Sequence, residues 1–274
     1  MSIKIIKSQK SIKDYFTEII SSTELIKSFV IKDLSVKYRN TAIGLIWIIL
    51  KSIVASTILI FIFSRVVENS IENDTSYIAF VYSGVCCWFF FQTSLSESTN
   101  SLISNQGLFS KIYIPKLVFV ISILISCFID FLVSLLILGA ILIFFQIKLS
   151  SNFLFFPFGI LLLIYTTFIY SFVSSLIAVK YRDFKHLVPF LLQVGLYLSP
   201  IAINMNDLSP RMQLIFFLNP ITVSLSIIRF SIFGISLNSH IILLSLGSFL
   251  LTSLVLFFAT KYFLRLDKNI VDII

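Results

Sequence analysis

Charge is what this chain has least of. Only 12% of its 274 residues are charged, against 58% hydrophobic, where soluble domains carry about 25% charged residues. A soluble fold of this size could not hide so much apolar surface, so lipid must be the solvent for much of it. Cysteine is equally sparse. Cys86, Cys87 and Cys127 all sit in apolar runs with no CxxC spacing and no neighbouring histidine, which argues against a disulfide framework and a zinc site. None of the eight glycines precedes a lysine, so there is no phosphate-cradling Walker A loop, and HExxH, GxSxG and GxGxxG are missing too. No apolar core of a cleavable signal peptide occurs in the first 22 residues; the first span is expected to serve as the insertion signal. The net charge of +8 is scattered between apolar runs rather than gathered in a patch, which excludes a nucleic-acid partner.

What is present is long apolar runs. A bilayer core about 30 Å thick takes roughly 20 helical residues, and six stretches fit: Ile43–Phe63, Tyr77–Leu95, Leu117–Phe145, Phe153–Val179, Leu187–Ile203 and Ile241–Phe263. The fifth is short, with Pro189 near its expected start, where a missing N–H costs nothing. A seventh run, Leu214–Phe233, is interrupted by Asn219-Pro220 and carries Arg229. A ladder broken in mid-run is tolerated in a membrane only inside protein. Ile201–Ser239 therefore reads as a re-entrant element on the outer side.

Basic residues set the orientation. With six spans and both termini cytoplasmic, the inner segments hold sixteen Lys and Arg: eight before Ile43, then Lys111, Lys116, Lys180, Arg182, Lys185, Lys261, Arg265 and Lys268. The outer segments hold four, Arg65, Lys148, Arg211 and Arg229, and Lys51 lies within a span. Sixteen against four obeys the positive-inside rule, and a seventh crossing would weaken it. The expected class is thus all-α: a polytopic membrane protein in the cell membrane. Its parts are a cytoplasmic segment 1–40, a permease domain 41–265 and a cytoplasmic tail 266–274. Within the first segment, Thr23–Arg39 places Ile26, Phe29, Val30 and Leu34 at helical spacing among Lys27, Lys32, Lys37 and Arg39. That pattern predicts an amphipathic helix lying in the membrane plane on the anionic leaflet.

Candidate functional residues are few. Asp130 is the one carboxylate deep in a span, and central placement costs about 3 kcal/mol on insertion scales. Ser122, Ser126, Asp130 and Ser134 share one helical stripe. Asp130 is either a path or gating residue or a structural acid satisfied by those hydroxyls or by Lys51. Lys51 itself, eight residues into the first span, snorkels or pairs more readily than it binds substrate. Thr167, Ser171, Ser174 and Ser175 mark close helix packing, whereas Gln193 and Tyr197 are large and ask for a polar partner. The 42 aromatics, Trp88-Phe89-Phe90-Phe91 included, could stack on sugar rings in a channel, but most are expected at lipid or at the interface. His186 and His240 read as bystanders. Two inner loops, Glu97–Lys116 and Val179–Leu187, have the compact charged character that a soluble, force-delivering partner would need, or merely anchor the spans.

The run Lys32-Asp33-Leu34-Ser35-Val36-Lys37-Tyr38-Arg39-Asn40-Thr41-Ala42-Ile43-Gly44-Leu45-Ile46-Trp47 resembles the (R/K)DLKxRYxxTxLGxxW signature of type-2 ABC transporter permeases that export O-antigen, capsule-like polysaccharide or teichoic acid. Ser83-Gly84 to Trp88, Asn105 to Pro115, Tyr181-Arg182-Asp183 and Leu218-Asn219-Pro220 continue the likeness, which covers 32–265. The resemblance implies a homodimer of six-helix subunits with two copies of a cytoplasmic ABC ATPase. That ATPase would bind ATP and Mg, leaving this chain without a cofactor or catalytic residue. It implies ATPase-coupling contacts at Tyr38, Arg39, Lys111, Tyr113, Pro115, Tyr181, Arg182 and Asp183. It also implies a path or gate drawing on Lys51, Asp130, Gln193, Tyr197, Asn219 and Pro220, and a lipid-linked polysaccharide as cargo. One departure is Lys51-Ser52, where relatives often have Gln-Pro. The rivals are an ion-coupled carrier or channel with Asp130 as proton site, a membrane-embedded transferase, and a drug exporter of the same family.

Overall fold

A computed structural model of the chain describes residues 12–39, 46–63, 74–109 and 114–266. Every regular element among them is helical: α1 (Ile12–Ser21), α2 (Thr23–Tyr38), α3 (Ile46–Phe63), α4 (Asp74–Ser104), α5 (Gln106–Phe109), α6 (Leu117–Phe144), α7 (Phe156–Lys180), α8 (Phe184–Tyr197), α9 (Pro210–Phe217), α10 (Thr222–Phe233) and α11 (Ser239–Leu266). Five of these, α3, α4, α6, α7 and α11, are long and apolar enough to cross a bilayer. The shortest has 18 residues and the longest 31, or about 27 to 46 Å at 1.5 Å per residue. This is an all-α polytopic membrane protein.

α4 is the axis of the bundle, packed against α3, α6, α7 and α8. Ser83, Gly84, Ser94, Ser98, Thr99 and Ser101 keep it narrow, so neighbouring backbones approach closely. The aromatic run on α4 turns inward: Trp88, Phe90 and Phe91 are buried. Phe90 packs on Phe128 and Phe131 of α6, and Phe91 meets Tyr170 of α7 edge-on. The other long helices leave large side chains such as Phe61, Leu136 and Leu254 exposed. With hydrocarbon as solvent, such exposure carries no hydrophobic penalty.

The helix at the expected fifth span is shorter than the sequence suggests and is not among the five long enough to cross. α8 holds 14 residues, about 21 Å, and stops before Ser199-Pro200, since proline offers no N–H to continue the ladder. Pro189 falls inside the helix rather than at its start, and so removes one bond there. The ends of α8 still lie at opposite ends of the bundle. Phe184 N donates to Tyr181 O just past α7's basic end. Past its other end, Ala202 O accepts from Tyr77 Oη in the first turn of α4.

Beyond α8 the chain behaves as a re-entrant element. α9 and α10 are bent by 112° about Leu218-Asn219-Pro220, and the segment returns to the level it left. Asn206 Nδ2 donates to Ser236 O at 3.0 Å, and Ser150 N, between α6 and α7, donates to Ile232 O at 3.0 Å. Gly234 ends α10 at φ +70°, a left-handed cap that glycine adopts without strain.

Candidate functional site: an ionic tip on the interface helix

α2 forms where the helical spacing of its apolar residues places it, but its apolar stripe is spent on protein. Leu25, Ile26 and Phe29 join Leu102, Ile114, Val118, Phe119 and Val179 in one cluster, with the Phe29 and Phe119 rings 4.8 Å apart. Eight residues further along α2, Lys37 reaches Asp130, eleven residues beyond Phe119 on α6. The two helices therefore run the same way. α2 climbs from the basic end toward the middle of the bundle instead of lying flat.

Its last turn ends in a charged knot. Lys37 Nζ lies 3.0 Å from Glu97 Oε1 of α4 and 3.5 Å from Asp130 Oδ2 of α6. Tyr38 Oη donates to Asp130 Oδ1. Cys127 Sγ, one turn before Asp130, faces Glu97 Oε2 at 3.6 Å and Lys37 Nζ at 3.7 Å. Burial pulls the Lys37 ammonium down, but Cys127, Glu97 and Asp130 around it hold it well above the ordinary lysine range. Burial pushes the Tyr38 phenol up, and its bond to Asp130 adds to the shift. The side chains of Lys37, Asp130 and Glu97 are 23%, 19% and 37% exposed, so the knot is part-buried and its strength falls between the surface and interior limits.

The partners expected for Asp130 were neighbouring hydroxyls or Lys51, and neither takes the role. Ser134 Oγ donates to the Asp130 backbone carbonyl and Ser122 Oγ to Phe119 O. Lys51 instead rests 4.4 Å above the Phe89 ring. Glu97 and Lys37 went unnoticed in the sequence because each lies outside the apolar runs where buried charge draws the eye.

Among the coupling residues, Tyr181, Arg182 and Asp183 form an exposed turn between α7 and α8, with Lys180 Nζ 5.2 Å from the Tyr181 ring. Arg39 is exposed, Tyr38 turns inward to Asp130, and Pro115 is buried beside α6, its carbonyl accepting from Val118 N at 3.0 Å. Lys111 and Tyr113 lie outside the described residues. Of the path or gate set, Gln193 and Tyr197 are exposed on one face of α8. Asn219 and Pro220 are the elbow: Asn219 Nδ2 donates to Ser199 Oγ at 2.6 Å, and Ile221 N donates to Asn219 Oδ1 at 3.3 Å.

Two polar anchors lie where only loops were expected. Arg229, counted among outer-loop cations, is buried. It donates to the carbonyls of Pro200, Ile201, Ile203 and Phe80 and lies over the Phe80 ring. His240 is no bystander: its Nδ1 is 2.9 Å from Oε1 of buried Gln213, whose Nε2 donates to Met205 O and Leu208 O. On α7, Thr167, Ser174 and Ser175 bond to their own helix in buried positions, as close packing requires.

Residues 24–233, more than three quarters of the chain, match the family described as ABC-2 type transporter. The chain belongs to that family. It is similar to curated proteins named O-antigen export system permease protein RfbA. The one from Myxococcus xanthus is 23% identical over 65% of this chain and 67% of its own length. Two from Klebsiella pneumoniae are 26% identical over 84% and 90%, and 25% identical over 69% and 73%. For an ABC-2 chain, the knot at Lys37 joins the N-terminal helix of the matched region to the two helices at its centre.

Proposed function

We propose that this chain is the membrane permease of an ATP-driven exporter of lipid-linked polysaccharide, working as a homodimer with two copies of a separate cytoplasmic ABC ATPase. The carrying observation is the family match across 24–233 joined to a likeness to one O-antigen export permease over 84% of this chain. The geometry supports it in two ways. The basic end presents an exposed Tyr181-Arg182-Asp183 turn and the outward face of α2, surfaces a soluble motor could push. Exposed apolar faces of α3 and α8 offer a second copy a place to complete a path lined by Gln193 and Tyr197.

In this reading both termini are cytoplasmic, ATP and Mg sit in the partner, and closure of the ATPase dimer shifts the permease between inward- and outward-opened populations. The test is reconstitution of the chain with an ABC ATPase from the same organism that co-purifies with it. ATP-dependent movement of the host's lipid-linked glycan across proteoliposomes is the expected result. Movement by the permease alone, dependent on a proton gradient and on Asp130, would overturn it in favour of an ion-coupled carrier.

A further inference from the structure

α2 touches the bundle at two places of different character. Near its start the contact is apolar and close, Phe29 on Phe119 with Leu102 and Val179 behind. Beyond Phe29 a cleft of about 310 Å³ separates α2 from α4 and α6, lined by Val36, Phe119 and Ile123 as well as by Asp33, Ser101 and Ser122. Lys32 Nζ donates across its rim to Asn105 Oδ1 at 3.5 Å, and at the tip Lys37 and Tyr38 reach Glu97 and Asp130. The other face, with Lys27, Ile31, Ser35 and Arg39, is exposed. A rigid helix with an apolar pivot, a gap and an ionic tip has the mechanical form of a lever. Close packing fixes the pivot, but the tip is held by side-chain charges, which can part without opening a void in a packed core.

We propose that Lys37 and Tyr38 are positioning residues of the transport cycle. Their attachment to Glu97 and Asp130 transmits movement of α2 to α4 and α6, the two helices at the heart of the bundle. The proposal rests on the exporter reading for its motor, but not for its geometry. Asp33 sits on the same helix within the cleft and its carboxyl is pushed up by burial, against Lys32 and Lys37; it faces the lysines, not the knot's acids.

Two measurements test it. In hydrogen exchange on the purified permease, Lys37→Met should speed exchange of the amides of residues 31–38 and leave 25–30 unchanged. Equal protection throughout would overturn the proposal. In proteoliposomes with the partner ATPase, Lys37→Met should keep hydrolysis within about twofold while glycan moved per ATP falls about tenfold, a coupling loss of about 1.4 kcal/mol. The conservative Lys37→Arg, which keeps the charge between Glu97 and Asp130, should recover most of that loss. Unchanged glycan per ATP in Lys37→Met, or Lys37→Arg no better than Lys37→Met, would sink the lever. Should the unaltered chain bind no ATPase, the exporter reading fails instead, and the exchange experiment still decides the attachment.

Discussion

At the scale of single residues, Arg229 shows how a full charge is held with no counter-ion among the described residues. Its guanidinium spreads over four backbone carbonyls and the face of Phe80, a geometry suited to a planar fork of donors and not to an ammonium. Gly84 makes room for it: a Cβ there would come within 2.9 Å of the guanidinium and of Ile201 Cγ2. Arg229→Lys should therefore lower stability by about 2–3 kcal/mol despite conserving charge, since several carbonyls lose their donor at once. The loss should appear as a lower melting temperature in detergent; an unchanged one would refute the account. The ionic knot permits a finer comparison. Glu97 lies closer to Lys37 than Asp130 does, so Glu97→Gln should cost about 1–2 kcal/mol, between exposed and buried limits. Asp130→Asn should cost less, because an amide oxygen still accepts from Tyr38. The order of the two melting shifts checks this. The sign with pH is plain as well. The raised Lys37 group contributes stability that is fully present below lysine's usual value of 10.5 and is lost only at more alkaline pH, so the lysine does not titrate near neutrality.

At the scale of elements, the elbow between α9 and α10 is a joint tied from both sides. Asn219 bridges Ser199 at the end of α8 and caps Ile221, while Thr222 Oγ1 donates to Phe216 O at 2.6 Å. Asn219→Ala should cost about 1–2 kcal/mol, as the loss of a cap and a bridging bond implies. It should show as faster proteolysis near Leu218 in detergent-solubilised protein, and resistance equal to the parent would discount the joint. The broken element itself was legible in the sequence, because Asn-Pro in mid-run is incompatible with an isolated crossing. The five long spans were legible too, since length and apolarity alone define them. The path of α2 was not. A stripe of Ile26, Phe29 and Val30 has the same periodicity whether it meets lipid or another helix, and only the positions of Phe119 and Asp130 decide between them. The knot stayed hidden for the same reason: Lys37 and Glu97 are 60 residues apart, and each looks like an ordinary polar residue near a span end. Arg229 misled in the other direction, because a cation in a re-entrant loop counts as outer charge until the carbonyls that hold it are known.

At the scale of the whole molecule, the hydrogen bonds fix which ends share a level. Tyr77 with Ala202, Asn206 with Ser236, and Ser150 with Ile232 put the start of α4, both arms of the re-entrant element and the α6–α7 link at one end. The turn at Tyr181–Asp183 belongs to the other. Reporter fusions after residue 203 and after residue 236 should therefore read on the same side, and a fusion after residue 182 on the opposite one. A change of side between the first two would mean that α9 and α10 cross as a true span. The exposed turn gives this arrangement its functional consequence. Arg182 has no packing role, so Arg182→Glu should leave insertion and melting unchanged, within the roughly 0.5 kcal/mol typical of surface substitutions. If the turn is where the partner ATPase bears on the permease, the same substitution should reduce permease-stimulated ATP hydrolysis, by placing a second carboxylate beside Asp183 where a cation stood. Stimulation equal to that of the parent, at equal amounts of assembled complex, would move the contact elsewhere on the basic end and leave the outward face of α2 as the surface that receives the push.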